Sequence, residues 1–171
     1  MEVIRLPPES VPNYSTEITA LLRHVFANPD MQVICNEELA TYVVIMDGGQ
    51  LIACSSAHVR EMEQANQTFL AGVIGSVAVH PEWRAKGLCK MLINELEEHL
   101  VMRGVDVSFL FAYKPEVYQS NGYLLLNAPI HHFDDISNTW KRFIYRGGMV
   151  KHLSTLTLDP ETEIDFRGCV Y

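Results

Sequence analysis

The stretch from Gly72 to Leu100, GVIGSVAVHPEWRAKGLCKMLINELEEHL, carries residue types suited to holding an anion. A β-branched run leads into a turn with Arg84, Lys86 and Gly87, and the turn opens directly onto a long segment with an apolar stripe. The first amides of a helix have no acceptor within it and point outward with the positive end of the helix dipole. A phosphate or pyrophosphate is their natural partner. Gly87 lets the backbone approach a ligand with no Cβ in the way, and Arg84 and Lys86 add local positive charge. The same residues also describe an ordinary strand-turn-helix with a solvated basic turn, because R-x-x-G-x is a short pattern. The chain has no G-x-x-x-x-G-K-[ST] and no G-x-G-x-x-G, which argues against a P-loop and a Rossmann dinucleotide site.

Two matches in the right order sharpen this. V-A-V-H-P-E-W-R-A-K-G-L-C (Val77 to Cys89) resembles the acyl-CoA signature of the GNAT superfamily of N-acetyltransferases, with Arg84, Gly87 and Cys89 at the marked positions of R/Q-x-x-G-x-G/A. Cys89 departs from the usual Gly or Ala. V-Y-Q-S-N-G-Y (Val117 to Tyr123) resembles the family's F-Y-x-x-x-G-F, and Tyr118 falls 31 residues beyond Gly87. The resemblance covers roughly residues 2 to 127 and fades beyond Ala128. The Asn that often follows the family's second central strand has no counterpart here before Asn121; the region reads Ala112-Tyr113-Lys114.

The resemblance implies a mechanism. Acetyl-CoA would lie between two central parallel strands, Thr68–Val79 and Val105–Phe111. Its pantetheine arm would pair with backbone near Val77 and Val79. Its pyrophosphate would be held by amides of Arg84, Ala85, Lys86, Gly87, Leu88 and Cys89, and an amide near Val79 would polarise the thioester carbonyl. A neutral amine would attack the thioester directly, with no covalent enzyme intermediate and no metal. Tyr118 matches the family's general acid; a phenol titrates near 10 and carries its proton at neutral pH. The other reading of Tyr118 is an aromatic packing on the sheet. No base stands out: Glu61, Glu63 and Glu82 read as solvated surface residues, and ordered water can take the ammonium proton. The acceptor is expected to be a primary amine of a small molecule or peptide. A homodimer is the assembly the family often forms.

The elements that must position these residues follow from periodicity. Glu2–Leu6 alternates as a first strand, ended by Pro7 and Pro8. Ser15 caps a helix to about Ala27 with Ile18, Leu21, Leu22 and Val25 on one face. Asn36, Glu37 and Glu38 open a short second helix. Tyr42–Met46 and Leu51–Val59 are strands joined by the hairpin turn Asp47-Gly48-Gly49, and Arg60–Gln67 loops out. Thr68–Val79 is a long strand stopped by His80-Pro81. Gly87–Arg103 is a helix with Leu88, Met91, Leu92, Leu96 and Leu100 in one stripe, closed by Gly104. Val105–Phe111 is a strand, Pro115–Asn121 a short helix closed by Gly122, and Tyr123–Leu126 a further strand. This order predicts an α/β protein with a mixed, partly antiparallel central sheet, and the resemblance implies that this is the GNAT acyl-CoA acyltransferase fold, the sheet flanked by helices.

The last third is less defined. Phe143–Leu153 carries a strand pair around Gly147-Gly148. His131-His132-Phe133-Asp134-Asp135 has metal-ligand residue types, but neighbours in sequence rarely converge on one ion, so a solvated loop is expected. His58 and His80 read as structural. Trp140, Phe143 and Tyr145 either cover a core edge or line a substrate pocket. Asp159–Asp165 holds four acids, a solvated tail or an attraction for a basic acceptor.

Whole-chain quantities bound the rest. The 171 residues fit a single domain, residues 1–171; for its part from 128 to 171, the resemblance implies a strand that helps shape the acceptor site. Apolar residues are 48% and charged residues 20%, a globular composition. The formal net charge of −8 argues against a nucleic-acid partner and against anchorage on anionic membranes. Residues 80–90 hold Arg84, Lys86 and Lys90 against Glu82, a net charge of +2, so the other 160 residues carry −10. That surplus is compatible with a local anion site and mildly favours a cationic acceptor. No apolar run approaches the roughly 20 residues of a membrane span, and Met1–Pro8 has no secretory pattern. Cys35, Cys54, Cys89 and Cys169 are widely spaced, as reduced thiols of a cytoplasmic protein would be. The competing readings are a non-catalytic acyl-CoA-binding or sensing domain, a transferase of a longer acyl group, and a structural α/β domain with no CoA site.

Overall fold

The apolar run Tyr42–Met46 becomes the centre of a strand, β2 (Leu39–Asp47), in the computed structural model, which describes residues 1–143 and 146–171. The chain divides into two compact units, one of Met1–His58 with Ile74–His99 and one of Val59–Val73 with Leu100–Tyr171.

In the first unit, β1 (Glu2–Leu6) pairs antiparallel with β2, Glu2 opposite Met46 and Leu6 opposite Tyr42. β2 turns through Gly48 (φ 56°) and Gly49 (φ 83°) into β3 (Gln50–Gln64), a turn that asks for left-handed backbone at both central positions. Helix α1 (Ser15–Phe26) buries Ile18, Leu21 and Leu22, each worth ~1.5–3 kcal/mol on transfer from water. They join Leu6, Tyr42, Val44, Leu51 and Ala78 in one core. Ser15 is not the cap: Tyr14 precedes the helix, and the Ser15 hydroxyl donates back to the Pro12 carbonyl at 2.9 Å. No helix forms at 36–38; the Asn36 side chain accepts the Glu38 amide and its carbonyl accepts that of Leu39, a turn chemistry Asn favours. β4 (Gln67–Val79) brings its last residues into this unit, followed by α2 (Leu88–Met102). The buried face of α2 here is Leu88, Leu92, Ile93 and Leu96. Met91 is exposed and Ile93 takes its place in the stripe. Arg5 on β1 meets Glu95 on α2 at 2.8 Å.

In the second unit the strand order is β6-β9-β5-β4-β3-β10-β7-β8, where β5 is Val107–Phe111, β6 Leu124–Leu125, β7 Ile130–Asp134, β8 Thr139–Phe143, β9 Gly148–His152 and β10 Ile164–Cys169. β10 pairs parallel with β7 and antiparallel with β3, so the sheet is mixed, and the protein is a mixed α/β fold with few helices. Arg60–Gln67 is not a loop. β3 runs on to Gln64 and turns only at Ala65 and Asn66, both at positive φ. Alternation explains the difference: Arg60, Met62 and Gln64 are buried. Their polar heads are satisfied across the unit, with Arg60 donating to the carbonyls of Phe166 (3.2 Å) and Cys169 (2.6 Å) and Gln64 to those of Asp159 (2.8 Å) and Thr162 (2.7 Å). The two strands near Gly147-Gly148 form but do not pair with each other: β8 pairs with β7, and β9 with β5 and β6. Phe69, Phe109, Ile130, Ile164 and Phe166 fill the core. Among the described residues no helix is long and apolar enough to cross a membrane.

Candidate active site

The strand that feeds the basic turn is not regular. Ser76 sits at φ 55° in the middle of β4, a left-handed residue in an extended run. Such an interruption re-aims the peptide groups that follow. It is held from β2 and β3: Ser55 and Ser56 hydroxyls both donate to the Gly75 carbonyl (3.0 and 3.3 Å), and the Tyr42 hydroxyl lies 3.4 Å from Ser76 Oγ. Backbone conformations of this kind, held by surrounding side chains, cluster at functional sites. Val77 and Val79, half-buried, follow directly. Sequence reasoning missed Ser76; the available signal was a Gly inside a strand pattern.

The turn itself is built in steps. The His80 amide donates to Ile52 (2.8 Å), which ends β4 against β3, and Pro81–Trp83 forms one 3-10 turn. Arg84 Nε donates back to the Val79 carbonyl at 3.3 Å, so this side chain braces the turn as well as charging it. Lys86 Nζ lies 4.3 Å from the centre of the Trp83 ring. Ala85 (φ 60°) and Gly87 (φ 79°) are both left-handed, the alternation that turns successive N–H groups inward as an anion-binding concavity. A Cβ on Gly87 would meet nothing within 4 Å, so the space above it is open. The Leu88 side chain is buried, leaving only its backbone to face a ligand, and Cys89 is half-buried. The helix then starts, with the Met91 amide on the Gly87 carbonyl at 3.1 Å. Val77, Val79 and Arg84 to Cys89 therefore lie along one strand-turn-helix of the first unit.

Tyr118 belongs to the second unit. It lies half-buried on α3 (Glu116–Gln119), a helix of a single turn that needs outside support. The Tyr118 carbonyl accepts the amides of Asn121 (3.0 Å) and Tyr123 (3.4 Å), and Gly122 takes φ 85° to close the turn. Two side chains fasten it. Lys151 on β9 donates to the Asn121 carbonyl at 2.5 Å and lies 5.8 Å from the Tyr123 ring centre. Fully buried Tyr123 shares a hydrogen bond with Ser108 on β5 at 2.7 Å. The second aromatic of the motif is thus an anchor. Lys151 carried no sequence signal, since its partner is 30 positions away.

Other candidates separate on geometry. Glu63 bonds Arg167 at 2.5 Å and Glu61 lies 4.0 Å from it, so both project from β3 into ion pairs. Glu82 is exposed at the 3-10 turn. His131 and His132 lie on β7, not in a loop; alternation sends them to opposite sides, His132 into the core and His131 to Asp165 at 3.4 Å. Among the described residues no group of three or more His, Cys, Asp and Glu is placed to hold a metal ion. Trp140 is exposed on β8 and tilts against His131 and Phe133. Tyr145 lies outside the described residues.

The sequence model of the acetyltransferase (GNAT) domain matches residues 12–126. None of the curated proteins matches the sequence. Among solved structures, a probable N-acyltransferase from Enterococcus faecalis is similar at 18% identity and TM-score 0.63 over 73% of this chain; the chain spans only 32% of that protein's length. The GNAT-family N-acetyltransferase YhbS from Escherichia coli, solved in complex with CoA, is similar at 16% identity and TM-score 0.61, covering 96% of this chain and 88% of its own. An aminoglycoside acetyltransferase from an uncultured soil metagenomic sample is similar at 18% identity and TM-score 0.56, over 71% of this chain and 83% of its own. The chain belongs to the GNAT acetyltransferase family.

Proposed function

We propose that the protein, acting as one domain over residues 1–171, is a cytoplasmic N-acetyltransferase that moves the acetyl group of acetyl-CoA to a primary amine of a small molecule or peptide. The observation that carries this reading is the pair of left-handed residues, Ala85 and Gly87, at the head of α2 with open space above Gly87. Such a concavity suits a pyrophosphate, and the left-handed residue Ser76 redirects the backbone of Val77 and Val79 for a pantetheine arm. The CoA complex of YhbS and the aminoglycoside acetyltransferases among similar structures support an acyl-CoA donor and an amine acceptor.

In this reading the amine nitrogen, having lost its ammonium proton to water, attacks the thioester carbonyl carbon. The carbon–sulfur bond breaks, the departing thiolate takes the phenolic proton of Tyr118, and the proton released from the acetylated nitrogen restores the phenol through water. The backbone amide near Val79 stabilises the oxyanion that forms in between. Thiol release from acetyl-CoA, followed across a panel of amines, tests the proposal. Acetyl-CoA-dependent release with at least one amine is expected; CoA binding without turnover on any amine would leave a sensing domain instead.

A further inference from the structure

Outside the turn and Tyr118, the second unit holds an open cavity of about 590 Å³. Its wall includes Gln119 and Gly122, on either side of the loop that follows Tyr118. Leu124, Leu126, Val150 and Leu158 make it largely apolar, and Leu124 stands well exposed at its edge. Four polar side chains share the wall, Gln119, Asn127, His152 and Asp159, and Asp159 is the one carboxylate among them. His152 Nε2 accepts the Leu158 amide at 3.2 Å, which fixes the ring. Asp159 accepts the amides of Glu161 (2.8 Å) and Thr162 (3.3 Å), which hold its carboxyl below the usual carboxylate range and keep it ionised at neutral pH.

This wall is assembled before any ligand arrives. Buried Gln64 donates to the Asp159 carbonyl and accepts the Asp159 amide, both at 2.8 Å, so one side chain clamps the segment from both directions. A volume of this order is that of a pocket for a small organic molecule. An acetyl group, three heavy atoms of roughly 30 Å³ each, would fill under a fifth of it. A fatty acyl chain would suit the leucines but would offer the exposed, ionised Asp159 carboxylate no cation and would displace water from it, which is unfavourable. A hydrophilic polyamine would suit the carboxylate but leave the apolar wall wet. A primary amine with a bulky apolar body satisfies both.

We propose that this cavity binds the acceptor, and that the acceptor is an amine with a large apolar body whose ammonium group is drawn to Asp159. The inference rests on the acetyl-transfer reading and narrows its substrate class.

Calorimetric titration of the full chain with 4-phenylbutylamine tests it, with 4-phenylbutanol as the uncharged counterpart and ethanolamine as the hydrophilic one. The amine is expected to bind at least tenfold more tightly than either. Asp159→Asn, which keeps the oxygen that accepts the two amides, should remove the preference over the alcohol. Leu158→Trp should fill the cavity and weaken the amine tenfold or more, while the thermal shift given by acetyl-CoA stays as in the unaltered chain. Equal binding of the alcohol, equal binding of ethanolamine, or indifference to both substitutions would overturn the proposal. So would competition for the cavity by octanoyl-CoA that Leu158→Trp abolishes, since the cavity would then be an acyl pocket. Thiol release with ethanolamine but no phenylbutylamine binding would reject the cavity and keep acetyl transfer. Phenylbutylamine binding sensitive to Asp159, with no thiol release from any amine, would reject acetyl transfer.

Discussion

Tyr118 reaches its place through its main chain, and that makes two kinds of substitution informative. Removing the phenolic oxygen in Tyr118→Phe takes away the proton donor and leaves the turn bonds intact, since those use the Tyr118 carbonyl. The expected result is a fall in kcat of about 10²- to 10⁴-fold with the KM for acetyl-CoA unchanged; an unchanged kcat would return Tyr118 to a packing role. Lys151 touches the same turn from β9 through the Asn121 carbonyl. Lys151→Met keeps the stem that packs under Gly122, whose added Cβ would lie 3.4 Å from Lys151 Cε, and removes only the charged head. It is expected to lower kcat roughly tenfold, a loss of about 1.4 kcal/mol in barrier, and Lys151→Arg should restore most of it. A positioning role predicts that split between kcat and KM together with rescue by Arg; a drop in melting temperature with unchanged kcat would make Lys151 purely structural.

At the scale of elements, two glycines with nearly the same φ do different things. Gly147 (φ 81°) precedes β9, and a Cβ there would come 2.1 Å from the Ala112 carbonyl oxygen, which is backbone and cannot step aside. Gly147→Ala is therefore expected to cost at least ~2 kcal/mol of stability, the left-handed penalty plus the clash. Gly87→Ala meets nothing, so its stability cost is only the ~1–2 kcal/mol of the left-handed conformation, while its acetyl-CoA affinity should fall several-fold because the methyl group enters the ligand space. Denaturant midpoints and titration with CoA separate the two; a Gly87→Ala chain with full CoA affinity would remove that turn from the site. The same contrast explains what could be read from sequence. Arg84, Gly87, Tyr118 and Gly122 lie within short local patterns, and the strand, turn and helix around them obey local rules. Ser76 and Lys151 act through partners 20 or more positions away, where no local period reports them. Arg60–Gln64 misleads because Arg and Gln suggest water, yet both are buried and satisfied by backbone carbonyls more than 90 residues further on.

Across the whole molecule, burial sets a bounded pH range of stability, and each edge has a named source. Burial pushes the Cys54 thiol up to about 12 from 9.0 and the Tyr42 hydroxyl up to about 12 from 10.0. Both are neutral in the fold where the unfolded chain would already have ionised, so the unfolded state releases protons first and gains on the native state as pH rises. Their contribution is complete below about pH 9 and is lost progressively between about 9 and 12. Burial pushes the His132 imidazole down from 6.5. Here the unfolded chain takes up the proton first, so stability is complete above about pH 6.5 and is lost as pH falls below it. Asp134, held down to about 2 by Lys141 and Ser137, and Asp159, held down chiefly by the Glu161 amide, add a further loss below about pH 3.8. The urea midpoint should therefore be nearly flat from about pH 7 to 9 and fall on both sides. Cys54→Ala and Tyr42→Phe, measured relative to their own midpoints at pH 8, should each flatten the alkaline limb, and His132→Phe the first part of the acid limb. A midpoint still rising between pH 9 and 11 would mean that ionised groups elsewhere outweigh the two buried acids, and that this core does not set the alkaline edge.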